Sequence, residues 1–121
     1  MISIPGGRLV MASRAPVKSY LVPDEAMNDA SRKSIPMWWI INIDPTRKPR
    51  AGQVVMAETW DGTRSVFREL VRVRRRWMLR AWNTQYNEPA IDLKREHMRI
   101  LGVAVSADPP SISLIPANDE Y

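Results

Sequence analysis

Between Arg50 and Val105 the chain alternates apolar runs of strand length with Gly, Asp and Asn punctuation. That alternation constrains the fold more than any other feature, because period-two runs broken by turn residues build antiparallel strands. The runs fall at residues 53–60, 64–73, 77–82 and 98–107, with a shorter one at 91–93. Asp61-Gly62 is the best single turn signal, and a two-residue type I′ hairpin is expected there because Asp-Gly tolerates positive φ at both central positions. Along the second arm Val66, Arg68, Leu70 and Arg72 point one way, and Phe67, Glu69, Val71 and Val73 the other. Neither face is cleanly apolar, so one of them should meet a loop or a partner.

The segments before this region feed the same sheet. Residues 18–22 form a strand stopped by Pro23, whose missing N–H suits a boundary. Residues 24–30 resemble one helical turn capped by Asp24, with Glu25 favourable at its positive end. Residues 38–43 are the most apolar strand and are expected to be central, with Trp38 and Trp39 on opposite faces and at least one of them in the core. The organisation expected is a flexible arm over residues 1–16, a domain over 17–107 and a tail over 108–121 that ends in Asp119-Glu120.

With 121 residues there is room for one core. The absence of cysteine excludes disulfides, thiolate metal sites and cysteine nucleophiles, and a single histidine, His97, argues against a His-based metal centre or a Ser-His-Asp triad. His97 itself reads as a capping or surface residue. No Gly-rich phosphate loop is present, since Gly6-Gly7 lacks the strand–loop–helix context. No cofactor, metal or small-molecule substrate is therefore expected. No apolar run approaches twenty residues and no segment has a signal-peptide layout, so a cytoplasmic, non-membrane protein is expected. The net charge of +5 fits nucleic acid or another acidic partner.

Five stretches carry a resemblance, in order. They are Tyr20-Leu-Val-Pro-Asp-Glu-Ala-Met27, Gly52-Gln-Val-Val55, Val66-Phe-Arg-Glu-Leu70, Trp82-Asn-Thr-Gln-Tyr86 and Ile100-Leu-Gly-Val-Ala-Val105. Together they resemble the C-terminal domain of LexA-like and lambda-type phage repressors, the Ser–Lys self-cleaving regulators. The resemblance implies a mainly β fold, a small, highly twisted and partly closed sheet of the LexA/signal-peptidase-like type. It also implies a nucleophilic serine in the turn before Met27 and a lysine on the second hairpin arm that deprotonates it. Here those positions hold Ala26 and Arg68. Alanine has no nucleophile, and a guanidinium stays protonated at any accessible pH. The small-residue–Gly bond that the family cleaves is missing from residues 1–25.

The resemblance further implies self-association that brings two separate helix-turn-helix domains onto DNA together, so that DNA is met only indirectly. Met98, Ile100, Leu101, Val103 and Val105 of the closing strand are the candidate interface. The partner is a second copy or a full-length repressor. Fewer than twenty residues precede the domain, too few for a helix-turn-helix, so either a fragment or a stand-alone modulator is expected. Two alternatives stay open. Arg72, Arg74, Arg75, Arg76 and Arg80 can form a nucleic-acid stripe with Trp77 and Trp82 for stacking, although such a cluster is more often a solvated turn. A peptidase inactivated by an engineered Ala26 is the other, and it leaves Arg68 unexplained. Arg68 is either ion-paired with Asp24 or Glu25 across the old cleft or a solvated strand residue.

Overall fold

The computed structural model describes residues 16–29 and 34–110. Most of the arm and tail expected from the sequence lies outside these residues. The described residues form seven strands: β1 (Lys18–Leu21), β2 (Ile40–Asp44), β3 (Val54–Thr59), β4 (Ser65–Val73), β5 (Arg76–Arg80), β6 (Ile91–Asp92) and β7 (Met98–Asp108). They make one antiparallel, curled half-barrel sheet in the order β1-β2-β7-β3-β4-β5-β6. Among the described residues the only helical element is a 3-10 turn, Thr84–Tyr86. The mainly β, partly closed sheet expected from the sequence is the fold observed.

Alternation along the central strands gives the sheet a core on each face. Val55, Ala57, Val66, Leu70, Leu79, Met98 and Val103 pack in one cluster. Met56 and Phe67, their neighbours in sequence, turn the other way and join Val22, Met27, Ile35, Ile41 and Ile43. Burial on both faces explains why β4 shows no clean apolar side.

β7 lies between β2 and β3, which follow each other in sequence but are not paired. Both pairings carry a register shift, between Asn42 and Ile43 and between Met56 and Ala57. At this crossing Gly102 leaves no room for a side chain, since a Cβ there would lie 2.5 Å from Ile43 Cγ2 and 2.9 Å from the Asp44 carbonyl oxygen.

Four local expectations need correction. First, β2 starts at Ile40 and is second from the margin, not central. One side of it is polar and half-exposed, where Asn42 accepts from Ser19 Oγ and donates to Ser106 Oγ and Asp108 Oδ2. Second, Trp38 is not in the strand. It sits in a turn closed by Trp39 N–H donating to Pro36 O, with φ of 74°, and its ring is exposed, while Trp39 packs on the core. Third, residues 24–29 form turns rather than a helix, and Asn28 bridges to Ser34.

Fourth, the Asp61-Gly62 hairpin is present but its turn is not type I′. The strands pair out to Glu58 and Ser65, and only Gly62 has positive φ. Asp61 stabilises a longer loop instead, accepting from the Thr59 hydroxyl and from the Thr63 hydroxyl and N–H. The type I′ geometry occurs one hairpin later. Val73 pairs with Arg76 across Arg74 and Arg75, whose φ values are 49° and 70°. Two non-glycine residues in the left-handed region cost about 1–2 kcal/mol each.

Candidate functional site

The site is assembled from three segments that the sheet brings together. The turn after β1 supplies Asp24, Glu25 and Ala26, the middle of β4 supplies Arg68, and the loop after β5 supplies Asn83, Tyr86 and Glu88. Asn83 fixes the loop to the turn: its N–H donates to the Ala26 carbonyl at 2.8 Å and its Nδ2 to the Glu25 carbonyl at 3.0 Å. The same side chain accepts from Gln85 N–H at 2.9 Å and caps the 3-10 turn. Asn87 then takes φ of 59°, tolerable for asparagine, and turns the chain so that Glu88 faces β4.

Arg68 fills the space between these segments. It is 1% exposed, the largest side chain in the chain's fully buried set. Its Nε donates to Glu88 Oε2 at 2.7 Å and its Nη2 to Glu88 Oε1 at 3.0 Å, with a longer bond from Nη2 to Asp24 Oδ2 at 3.4 Å. Nη1 donates to the Phe67 carbonyl at 2.8 Å. Burial alone would lower the guanidinium pKa, but the Glu88 bond and the charges of Asp24 and Glu88 outweigh it, and the pKa is raised above its ordinary value. The group is permanently cationic.

Asp24 links Ala26 to Arg68. Its Oδ1 accepts the Ala26 N–H at 3.1 Å while Oδ2 accepts from Arg68. Ala26 is fully buried. Tyr86 lies over the guanidinium, 5.6 Å from its carbon to the ring centroid. Its hydroxyl pKa is raised, by desolvation first and by the nearby Asp24 carboxylate second. A phenol held neutral in this way is a poor nucleophile. Ala26 and Arg68 themselves carry no hydroxyl, thiol or amine.

Of the two expected partners of Arg68, the structure selects Asp24. Glu25 accepts from Asn28 Nδ2 instead. The principal partner, Glu88, was not anticipated. The only available signal was its place two residues after the Trp82–Tyr86 stretch, since carboxylate and guanidinium are 20 residues apart in sequence.

The arginine stripe is partly spoken for. Arg76 pairs with Asp92, Arg80 pairs with the buried Glu69, and Arg72 stacks on Trp77 at 4.7 Å. Trp82 donates its indole N–H to Glu69 and packs on the core rather than standing free for stacking. In the closing strand, Met98 and Val103 belong to this chain's own core, Ile100 and Leu101 are half-buried, and Val105 is 42% exposed. His97 is exposed, and its carbonyl accepts the Trp60 N–H. Among the described residues no His, Asp and Glu cluster is arranged to hold a metal, and no helix is long and apolar enough to cross a membrane.

A protein-family description, Peptidase S24-like, matches residues 7–105. Among curated proteins, the Repressor protein C2 of Salmonella phage P22 is 34% identical over 86 residues, which cover 71% of this chain and 38% of that relative. The chain therefore spans less than two fifths of the relative's length.

Proposed function

Because this chain belongs to the Peptidase S24-like family, we propose that it is the self-association and regulatory domain of a phage-type transcriptional repressor that does not cleave itself. The observation that carries the reading is the pairing of Ala26 with a buried, doubly neutralised Arg68 at the positions where a Ser–Lys dyad would stand. A general base must shed its proton to accept one from a nucleophile, and this guanidinium cannot. The repressor relative favours a regulatory role over a peptidase acting on other proteins.

Self-association is supported by the end of β7. This strand outruns β3: Ala104 and Ser106–Asp108 pair with β2 only, Val105 is exposed at the register shift, and no strand of the described residues pairs along the other edge there. An open edge with an apolar side chain is a template for a second copy. Two copies so joined would present two DNA-binding domains at once, raising their effective concentration on paired half-sites without any new DNA contact. In this reading DNA is met through a separate domain, and Ile100, Leu101 and Val105 are the residues of the closing strand available to a partner.

Sedimentation equilibrium at micromolar concentration, at low and high salt, tests the proposal. A dimer that persists in high salt is expected, weakened at least tenfold by Val105→Lys. A strict monomer at both salts would overturn the self-association part. Specific fragments on alkaline incubation, read by mass spectrometry, would overturn the non-cleaving part.

A further inference from the structure

A groove of about 1080 Å³ opens beside β5, β6 and β7, and none of its lining residues belongs to the Arg68 site. Leu70, Leu93 and Met98 give it an apolar floor at the margin of one core cluster. Three separate turns place cations around that floor: Lys48 between β2 and β3, Arg75 between β4 and β5, and Lys94 and Arg95 between β6 and β7. All four are exposed, and among the described residues none has a carboxylate partner. The fifth rim cation, Arg76, is paired with Asp92. An apolar centre inside a polar rim is the plan of a protein interface, and the unmatched charge of this rim has one sign.

What fits the groove is decided by how those charges are spread. A small amphipathic anion has one head group, so it would meet one turn and leave the other cations unmatched. A nucleic acid carries charge enough, but it binds best where aromatic rings stand free for its bases. Trp77, the aromatic residue in the lining, already stacks on Arg72 at 4.7 Å, and phosphates on the rim would leave the half-buried Leu93 in water. A polypeptide segment with several carboxylates among apolar side chains meets rim and floor together. We infer that the groove is the docking site for such an acidic, apolar segment of another protein. The site is separate from the edge assigned to self-association. Leu101 and Val105 do not line it, and the contacts that carry the inference, the four cations with Leu93 and Met98, leave Ile100 to a second copy.

The probe is a labelled peptide of alternating leucine and glutamate, titrated into the full chain and read by fluorescence anisotropy. Saturable binding is expected, weakened roughly fivefold by Lys94→Glu and by Arg95→Glu. Lys18→Glu on β1 makes the same change of charge away from the groove and should weaken binding less than about twofold. Replacing the peptide's leucines by serine probes the floor without disturbing the protein's core, and should cost roughly tenfold or more. Val105→Lys should bind the peptide as the wild type does. A monomeric chain that binds the peptide therefore sinks self-association alone, and a dimer that ignores it sinks the docking alone. Absence of saturable binding, equal affinity for the serine peptide, or an equal effect of Lys18→Glu would overturn the inference. So would octanoate displacing the peptide at matching concentration, which would make the groove a small-anion pocket. A single-stranded oligonucleotide that binds more tightly than the peptide, and is weakened by the same groove substitutions, would make the rim a phosphate surface and overturn it as well.

Discussion

Arg68 and Glu88 meet fork to fork, Nε to Oε2 at 2.7 Å and Nη2 to Oε1 at 3.0 Å, with the guanidinium 1% exposed. Two parallel charge-assisted bonds of this kind fix geometry as well as charge. They tie the loop after β5 to the middle of the sheet, beside the turn that holds Ala26. All three nitrogens of the guanidinium donate, Nε and Nη2 to carboxylates and Nη1 to the Phe67 carbonyl.

The pair should be strongly coupled. Glu88→Gln or Glu88→Ala leaves a buried cation with only the longer bond to Asp24, and a loss of about 3–5 kcal/mol is expected for a broken buried pair. Urea unfolding measures it. Arg68→Met with Glu88→Leu removes both charges and should recover most of that loss. If each single change costs less than about 1 kcal/mol, the pair behaves as a surface bridge and the clasp has no structural weight.

Under the proposed function, placing serine and lysine at positions 26 and 68 should not bring about self-cleavage. In Ala26→Ser/Arg68→Lys, the new ammonium faces Glu88 and Asp24, and neighbouring carboxylates favour its charged form. The variant is expected to remain one intact species by mass spectrometry after alkaline incubation. Cleavage by this double variant would show that Glu88 does not hold the position cationic.

Acid should act on the first hairpin through Asp61. Bonds from the Thr59 hydroxyl first, then from Thr63, lower its pKa from 3.8 to about 2. A folded-state pKa below the unfolded one means stability that is present above the unfolded value and lost as pH falls through the folded one. The contribution should therefore disappear between about pH 4 and pH 2. Comparing the unfolding midpoint of the wild type with Asp61→Asn over that range checks it, and the two curves should converge at the acid end. Parallel curves would remove Asp61 from the account.

The arginine turn should be improvable. Arg74→Asn/Arg75→Gly places residues suited to positive φ where two arginines now sit, and a gain of about 1 kcal/mol is expected after the extra unfolded-state entropy of glycine is counted. Thermal unfolding reads the change. A loss would mean that the two arginine side chains stabilise the hairpin by more than their backbone strain costs.

The sheet was legible in the sequence because burial on alternating sides leaves its period in β3, β4 and β7, and because Asp61-Gly62 and the three arginines punctuate it. That Ala26 and Arg68 would lie close together was expected only through the resemblance, and Asp24 does bridge them. What stayed hidden depends on backbone detail or distance. Trp38 reads as strand because it is apolar and aromatic, yet the turn closed at Pro36 needs positive φ where it stands. The type I′ turn fell on Arg74-Arg75 instead of Asp61-Gly62 because Asp61 spends its carboxylate on three local donors. Glu88 was invisible because nothing local marks a carboxylate whose partner is on another strand.

The placement of β7 has a consequence for the order of events during synthesis. β2 and β3 emerge early, but the strand that joins them, Met98–Asp108, is made only after β4, β5 and β6. Until then β1-β2 and β3–β6 are two unconnected fragments, each with an open edge facing the vacant place. Non-local pairing of this kind is slow and exposes such edges while it waits. A chain ending at His97 should lose its cooperative urea transition altogether instead of unfolding at a lower midpoint, and a retained transition would show that one fragment folds alone. The last strand therefore sets the moment at which the nascent chain stops being a liability to its neighbours and becomes a protein.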